Sequence, residues 1–153
     1  MQDLTCSVAA EPFDHEDGVR LRAAARIEVN RLYGRPADHG RPLTEATAAA
    51  NVIARDRAGA ALGTGALSAA GDGVFEVRRL FVRPDSRGRG VGDLLLLELL
   101  AQAEDLQAPA VVAQMGVRQP HAGALLLRNG FVRIQPFGVY RGDPGSICFS
   151  RPL

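Results

Sequence analysis

A glycine-rich turn between a strand-like run and a helix-like run constrains this chain more than any other feature. The turn Arg87-Gly-Arg-Gly-Val-Gly92 follows the apolar run Val74–Val82 and precedes a leucine-rich segment, residues 93–106. The start of a helix leaves backbone N–H groups without acceptors and carries the positive end of the helix dipole. Glycine permits positive φ and lets a ligand approach the backbone closely. The order strand, turn, helix therefore predicts an anion site suited to phosphates.

Two familiar phosphate loops do not fit this turn. A P-loop requires a lysine after its last glycine, and all 18 basic residues of this chain are arginine. A dinucleotide-binding fingerprint requires G-x-G-x-x-G directly after the strand. Here the glycines run G-x-G-x-G, beginning at Gly88, six residues beyond Val82 and behind Pro84. Both interpretations are rejected.

Composition limits the remaining classes of protein. The 153 residues are 46% hydrophobic and 23% charged with a net charge of +1, as expected for one globular domain spanning residues 1–153. The near-neutral charge gives no basis for binding nucleic acid or an anionic membrane. Cys6 and Cys148, with three scattered histidines, predict neither disulfides nor a metal site. The start of the chain lacks a signal-peptide pattern, so we expect a cytoplasmic protein.

Hydrophobic periodicity and turn residues predict a mixed α/β sheet. The expected strands are residues 4–9, 51–56, 60–69, 74–82, 110–115, 131–134 and 146–150. The expected helices are residues 14–33, a short one at 44–50, residues 93–106 and residues 120–128, with a loop at 34–43.

The central strand contains a change of register. In a regular strand, Phe75 and Val77 would lie on one face. Leu80 and Val82, which follow Arg78-Arg79, would lie on the opposite face. A β-bulge at either arginine would bring all four apolar side chains to one face. The alternative is an ordinary strand with two exposed arginines.

Two segments resemble the GNAT superfamily of acyl-CoA-dependent N-acyltransferases. Arg87-x-x-Gly90-x-Gly92 is similar to the R/Q-x-x-G-x-G/A signature of that family. The segment Gln119-Pro-His-Ala-Gly-Ala-Leu-Leu-Leu-Arg-Asn-Gly-Phe131 is similar to the N-x-x-A-x-x-L-Y-x-K-x-G-F segment of the family. The resemblance covers roughly residues 50–150 well and the first fifty only by position.

The resemblance implies a fold and a cofactor. The fold would be a central, mostly antiparallel sheet flanked by helices, with acetyl-CoA as co-substrate. A bulge in the central strand would splay it from its neighbour and leave a slot for the pantetheine arm. The pyrophosphate would bind to backbone N–H groups of the turn. The implied cofactor-binding residues are Leu80, Phe81, Val82, Arg87, Gly88, Arg89, Gly90, Val91, Gly92 and Gln119. Helix capping is an alternative role for Gln119.

The implied reaction is direct acetyl transfer from acetyl-CoA to a primary amine of a small molecule or peptide. Glu76 on the central strand is the candidate general base, and the alternative is a solvated glutamate paired with Arg78 or a neighbouring arginine. Leu126 stands where the family usually has the tyrosine that protonates the thiolate, so the general acid is not identified. Residues 33–41 and 137–143 would line the acceptor pocket.

Three questions stay open at this stage. The chain could instead be a non-catalytic acyl-CoA binder, such as a sensor or a partner subunit. The donor could be another acyl-CoA, such as succinyl-CoA, if an arginine lines the acyl slot. The acceptor itself is not specified, and a homodimer is possible because GNAT proteins often pair through edge strands.

Overall fold

The computed structural model describes residues 5–35 and 41–153, which form one seven-stranded sheet with helices on both faces. Its strands are β1 (Cys6–Ala10), β2 (Ala48–Asp56), β3 (Ala61–Gly71), β4 (Val74–Val82), β5 (Ala110–Gly116), β6 (Val132–Ile134) and β7 (Ser146–Pro152). Its α-helices are α1 (Glu16–Tyr33), α2 (Val91–Asp105) and α3 (Pro120–Arg128). Single 3₁₀ turns lie at Pro84–Ser86 and Gly138–Tyr140.

The strands follow the order β1-β2-β3-β4-β5-β7-β6, and every adjacent pair is antiparallel except β4–β5. The parallel pair is joined at only two positions, Phe75↔Val111 and Glu76↔Val112. Beyond Glu76, therefore, β4 and β5 diverge, and the facing edge of β4 has no strand partner there. The mixed α/β sheet expected from the sequence is confirmed.

The two faces of the sheet differ in character. The main apolar core lies on the face covered by α2, where Leu95, Leu96 and Leu99 are fully buried against Val52 and Leu67. The opposite face, which α1 covers, carries Glu76 and Arg78 of β4 and the polar residues that alternate with the core positions of β2 and β3. One face of the sheet is therefore packed with apolar side chains, whereas the other face carries ionisable groups.

The bulge predicted in β4 is present at Arg79. This residue has φ = +56°, and the pairing with β3 shifts between Ala66↔Arg78 and Thr64↔Phe81. As a result, the apolar side chains on both sides of the bulge pack against the same core: Phe75, Val77, Leu80 and Val82. A positive φ at a non-glycine residue is uncommon and is held here by the pairing on either side.

One predicted helix is wrong. Residues 44–50 do not form a helix, since Thr44 to Thr47 make a single turn and β2 begins at Ala48. Alanine favours helix in isolation, but Ala48 and Ala50 pair with Ser68 and Leu67 of β3. Tertiary pairing therefore overrides the local propensity.

The other differences are at element ends. Helix α2 begins at Val91 rather than at residue 93, which places Gly92 in its first turn. The first strand begins at Cys6, and the predicted residue Leu4 lies outside the described part of the chain. Residues 36–40 of the predicted loop at 34–43 also lie outside it. Among the described residues, no helix combines the length and apolarity needed to cross a membrane.

Glycine at position 63 allows β3 to lie close to the end of β4. A Cβ added to Gly63 would lie 2.7 Å from the Phe81 carbonyl oxygen and 2.9 Å from Leu95 Cδ1. We expect Gly63→Ala to destabilise the protein by about 1–3 kcal/mol, because backbone atoms must move. Thermal unfolding should show a lower Tm, by about 2–4 °C for each kcal/mol.

Gly18→Ala is the matched control for this substitution. Its added Cβ would meet only Arg22, at 3.1 Å from the end of that flexible side chain, and alanine is favoured over glycine within a helix. An equal loss of Tm in both variants would contradict the close approach at Gly63.

Arg55, near the end of β2, links the residue after β1 to the first turn of α1. It donates to both carboxylate oxygens of Glu11, at 2.7 and 2.8 Å, and to Asp17 at 2.8 Å in the first turn of α1. These hydrogen bonds hold the pKa values of Glu11 and Asp17 below their usual ranges. A carboxyl group whose pKa is lower in the folded state stabilises the protein at pH values above its unfolded-state pKa. This stabilisation is lost as the pH falls through the folded-state pKa.

We therefore expect Arg55→Met to lower the Tm at about pH 7 and to lower it much less at about pH 2.5. As the pH falls through the lowered folded-state pKa values, the two carboxylates take up protons and the stabilisation by the arginine is progressively lost. Thermal unfolding of both proteins at the two pH values measures this. A difference in Tm that does not change with pH would contradict it.

Candidate functional site

The glycine-rich turn forms a cradle of backbone N–H groups at the start of α2. Gly88 and Gly90 have φ = +78° and +83°. The N–H of Leu94 donates to the Gly90 carbonyl at 3.1 Å, so the N–H groups of Val91 and Gly92 precede the first helical hydrogen bond. These donors and the helix dipole together favour an anion at this point.

The Arg87 and Val91 side chains of the turn are engaged away from the cradle. The Arg87 guanidinium donates to both oxygens of Glu28 on α1 at 2.9 Å, and its Nε donates to the Val82 carbonyl at 2.9 Å. Val91 is buried in the core and Arg89 is exposed. The backbone, rather than the Arg87 side chain, is therefore the part of the turn that is available to an anion.

A slot runs from the cradle along the end of β4. The backbone of Phe81 and Val82 pairs with β3 on one side, while the other side faces the diverging β5. Leu80 and Val82 pack toward the α2 core, and Phe81 is buried toward α1. The slot therefore has an apolar floor and an edge of backbone groups, which suits an extended amide-bearing chain.

Gln119 and Tyr33 lie at the end of β5, on the β5 side of the slot. Gln119 occupies the N-cap position of α3, but its side chain makes no capping hydrogen bond, which argues against the capping alternative. Its Oε1 lies 3.5 Å from the Tyr33 hydroxyl, which also accepts from the Arg118 N–H at 3.4 Å. An added Cβ at Gly116 would lie 1.9 Å from that hydroxyl, so the tyrosine lies directly over the end of β5.

Glu76 is buried, with 1% of its surface exposed, beside the point where β4 and β5 part. Its Oε1 accepts from Arg41 Nη2 at 2.8 Å, and its Oε2 accepts from the Tyr140 hydroxyl at 2.6 Å. The same Nη2 of Arg41 donates to the Tyr140 oxygen at 2.7 Å. Glu76 is thus neither solvated nor paired with Arg78, and the arginine beside it comes from a loop distant in sequence.

Tyr140 is held in its neutral form. Burial, and then the hydrogen bond to Glu76, raise the pKa of Tyr140 to about 12. The Arg78 side chain completes the cluster by donating to the Arg41 carbonyl at 2.7 Å and to Ser68 at 3.2 Å. The cluster therefore holds one carboxylate in a fixed orientation beside the diverging strands.

The sequence-predicted residues come together around one cleft, with several additions. Glu76, Leu80–Val82, the turn at 87–92 and Gln119 all border the divergence of β4 from β5. The two segments expected to wall the acceptor pocket contribute Arg41 and Tyr140, whose roles beside Glu76 the sequence did not reveal. A contact between residues 41, 76 and 140 leaves no trace in local sequence pattern.

The structure also shows the position of Leu126 and the spacing of the side chains that could bind a metal. Leu126 is 4% exposed and packs in the α2 core, so this position holds no acid. Within residues 5–35 and 41–153, no three His, Cys, Asp or Glu side chains are grouped as metal ligands would be. His39 lies outside the described residues.

Comparison with known proteins identifies the same family that the sequence motifs resemble. Residues 48–133 match the family model of the acetyltransferase (GNAT) domain. An "IAA acetyltransferase" of Azospirillum brasilense is 36% identical over 103 residues, which is 67% of each chain.

Two solved structures are similar to the whole fold or to most of it. A Klebsiella pneumoniae protein described as an acyl-CoA N-acyltransferase superposes with a TM-score of 0.83 at 26% identity, over 97% of each chain. A Bacillus anthracis protein described as a streptothricin acetyltransferase, solved with acetyl coenzyme A, has a TM-score of 0.60 at 19% identity. That match covers 74% of this chain and 65% of the other, and shows likeness of fold alone.

The family match spans more than half of the chain and includes the cradle, the diverging strands and α3. Members of this family transfer acyl groups from coenzyme A thioesters to amine acceptors. We conclude that this protein is an acyltransferase that belongs to the GNAT family.

Proposed function

We propose that this protein transfers the acetyl group of acetyl-CoA directly to a primary amine of a small molecule or peptide. The observation that carries the proposal is the divergence of β4 from β5 immediately before a helix-start cradle. This arrangement places an edge of backbone groups and a set of N–H donors on one path. Glu76 lies where the path enters the sheet.

The cofactor would lie along that path. Its pyrophosphate would accept hydrogen bonds from the backbone of residues 88–92. The pantetheine amides would pair with the free edge of β4 at residues 80–82, and Gln119 would contact the arm from the β5 side. Arg87 would act mainly by holding the turn against α1 through Glu28, since its guanidinium is already engaged there.

Glu76 is proposed as the general base. An amine with a pKa of about 10.4 is neutral in only roughly one molecule in a few thousand at pH 7, so attack on the thioester requires removal of a proton. Each carboxylate oxygen of Glu76 accepts one hydrogen bond and keeps a second lone pair. A water molecule on that lone pair would relay the proton from the amine.

The reaction then needs no covalent enzyme intermediate. The amine nitrogen forms a bond to the acetyl carbon, the carbon–sulfur bond breaks, and the amine proton passes to Glu76 through water. The departing thiolate takes a proton from water, because Leu126 cannot supply one. A backbone N–H at the Arg79 bulge would stabilise the oxyanion that forms in between.

Three further expectations remain proposals. We propose a single domain over residues 1–153, a cytoplasmic location and an amine acceptor free in solution. Both cysteines are free thiols, which suits a reducing compartment. A homodimer through an edge strand is compatible with the sheet, whose edges are β1 and β6.

The cradle is tested by a pair of alanine substitutions. Gly88 and Gly59 both have positive φ, at +78° and +87°, and an added Cβ would meet nothing within 4 Å at either site. Gly88→Ala and Gly59→Ala should therefore lose similar stability, of about 1 kcal/mol each. Only Gly88→Ala should weaken binding of acetyl-CoA, by about 10-fold or more, because the strain distorts N–H groups aimed at phosphate.

Isothermal titration calorimetry with acetyl-CoA measures the affinity of both variants and of the unmodified protein. Equal affinity in all three would show that the turn does not hold the cofactor. If the unmodified protein did not bind acetyl-CoA at millimolar concentration, the proposed function itself would be contradicted.

Glu76→Gln tests the general base. The substitution preserves shape but removes the proton acceptor, so kcat should fall at least about 100-fold while the affinity for acetyl-CoA stays within about twofold. Release of free thiol with a panel of amines measures the rate.

Tyr140→Phe is the matched control, since it removes the hydrogen bond to Glu76 and leaves the carboxylate. We expect it to lose much less activity than Glu76→Gln. Equal losses in both variants would mean that Glu76 acts by positioning its neighbours. Thermal unfolding of each variant separates loss of activity from loss of the fold.

A further inference from the structure

The acceptor amine needs a route to Glu76, whose side chain is almost completely buried. Only 1% of this side chain is exposed, and the Arg41 guanidinium lies on its Oε1, with Nη2 at 2.8 Å. The Arg41 side chain is 30% exposed, whereas Tyr140, on the other carboxylate oxygen, is 5% exposed. Of these two partners of the carboxylate, Arg41 is therefore the one that reaches solvent.

The place of Arg41 Nη2 is also a place that suits a substrate ammonium. This nitrogen donates to two oxygens at once, Glu76 Oε1 at 2.8 Å and the Tyr140 hydroxyl oxygen at 2.7 Å. A primary ammonium carries the same positive charge and has three N–H donors. It can therefore make the same two hydrogen bonds and match the same buried carboxylate.

A second observation shows that Arg41 itself fits this place imperfectly. Its Nε is buried and has no hydrogen-bond partner among the described residues. A buried donor without a partner costs free energy, whereas a methylene group at the same place would leave no donor unsatisfied. The surroundings of this side chain therefore suit an aliphatic chain better than the Nε of a guanidinium.

The Arg41 side chain can leave this place while the main chain stays. Arg41 lies outside the helices and strands, and residues 44–47, which follow it, are exposed. Its backbone carbonyl accepts from Arg78 Nη2 at 2.7 Å, which holds the main chain beside Glu76. Rotation of a side chain that reaches solvent is fast compared with catalysis. Displacement of the guanidinium therefore requires no change in the sheet.

We propose that the Arg41 guanidinium occupies the acceptor site, and that the substrate displaces it with a primary ammonium carried on an aliphatic chain. This inference rests on the proposed function and names its substrate class as diamines and polyamines or the side chain of lysine. The proton that the bound ammonium loses passes to Glu76, and the nitrogen lone pair then attacks the thioester carbon. Arg41 takes no part in these bond changes, because it only determines which amines can compete for Glu76.

The test compares the full-length protein with its Arg41→Met variant, which keeps a long side chain that cannot compete for Glu76. The acceptors are cadaverine, a free aliphatic amine, and Nα-acetyl-lysine amide, a mimic of a lysine side chain, and thiol release with acetyl-CoA gives kcat and KM separately. Because Arg41 fills the site in most molecules, KM for these amines should fall about 10-fold or more in the variant, while kcat stays within about twofold.

Arg133→Met is the matched control. It removes the same charge from an exposed position on β6, so it reports any general electrostatic effect on a cationic substrate. We expect KM to be unchanged in this control. An equal fall in KM in both variants overturns the inference. So does a lower kcat with an unchanged or higher KM in Arg41→Met, because that result means that Arg41 orients Glu76 for the reaction.

Arg41→Lys is the second variant and decides the question if thermal unfolding shows that Arg41→Met does not fold. It places a primary amine on an aliphatic chain slightly short of the place of Nη2. The chain contains no lysine, so apart from the N-terminus this amine would be unique in the protein. We expect acetyl-CoA to acetylate position 41, seen as the added mass of one acetyl group on that peptide, and Glu76→Gln to suppress this. Absence of the acetyl group overturns the inference.

The outcomes separate the two proposals. Faster turnover of cadaverine or of the lysine derivative identifies a free amine or a peptide side chain as the source, and either result supports the inference. Turnover of the α-amines of amino acids without turnover of aliphatic amines overturns it, while acyl transfer to amines stands. Binding of acetyl-CoA without thiol release for any amine overturns the proposed function, and this inference with it.

Discussion

The β-bulge at Arg79 is the constraint on which the rest of the structure depends. One extra residue in β4 restores the apolar side chains to the core face after the polar pair at 78 and 79. The same irregularity coincides with the loss of pairing between β4 and β5 beyond Glu76. A straight strand would continue to pair with β5 and would turn Leu80 and Val82 to the α1 face. Packing of the core and opening of the slot therefore have one common cause.

The second constraint is the environment of Glu76. A carboxylate with 1% of its surface exposed is stable only when its charge is matched, and Arg41 and Tyr140 do this from two separate loops. The cost of removing these groups from water is offset by short, charge-assisted hydrogen bonds. The arrangement fixes the carboxylate in one orientation, which a proton acceptor requires. It also ties the two loops that border the acceptor side to the central strand.

The sequence predicted the features that depend on neighbouring residues and missed those that depend on distant ones. The parity change after Val77 was enough to predict the bulge, and the glycines before α2 were enough to predict the cradle. The alanines at 48–50 were misassigned because the pairing with Leu67 and Ser68 is not encoded locally. Arg41 and Tyr140 could not be assigned to Glu76, since nothing in their own segments marks the contact.

Helix α1 contacts the sheet, the turn and the end of β5. Arg22 lies 3.5 Å from Asn51 of β2, Glu28 holds Arg87 of the turn, and Tyr33 contacts Gln119. Eleven residues of helix separate Arg22 from Tyr33, a length of about 16 Å. The helix therefore lies across the sheet as one rigid element that connects these contacts. A shift or tilt of this helix would move Glu28 and Tyr33 together, so the turn at 87–92 and the end of β5 would be displaced jointly.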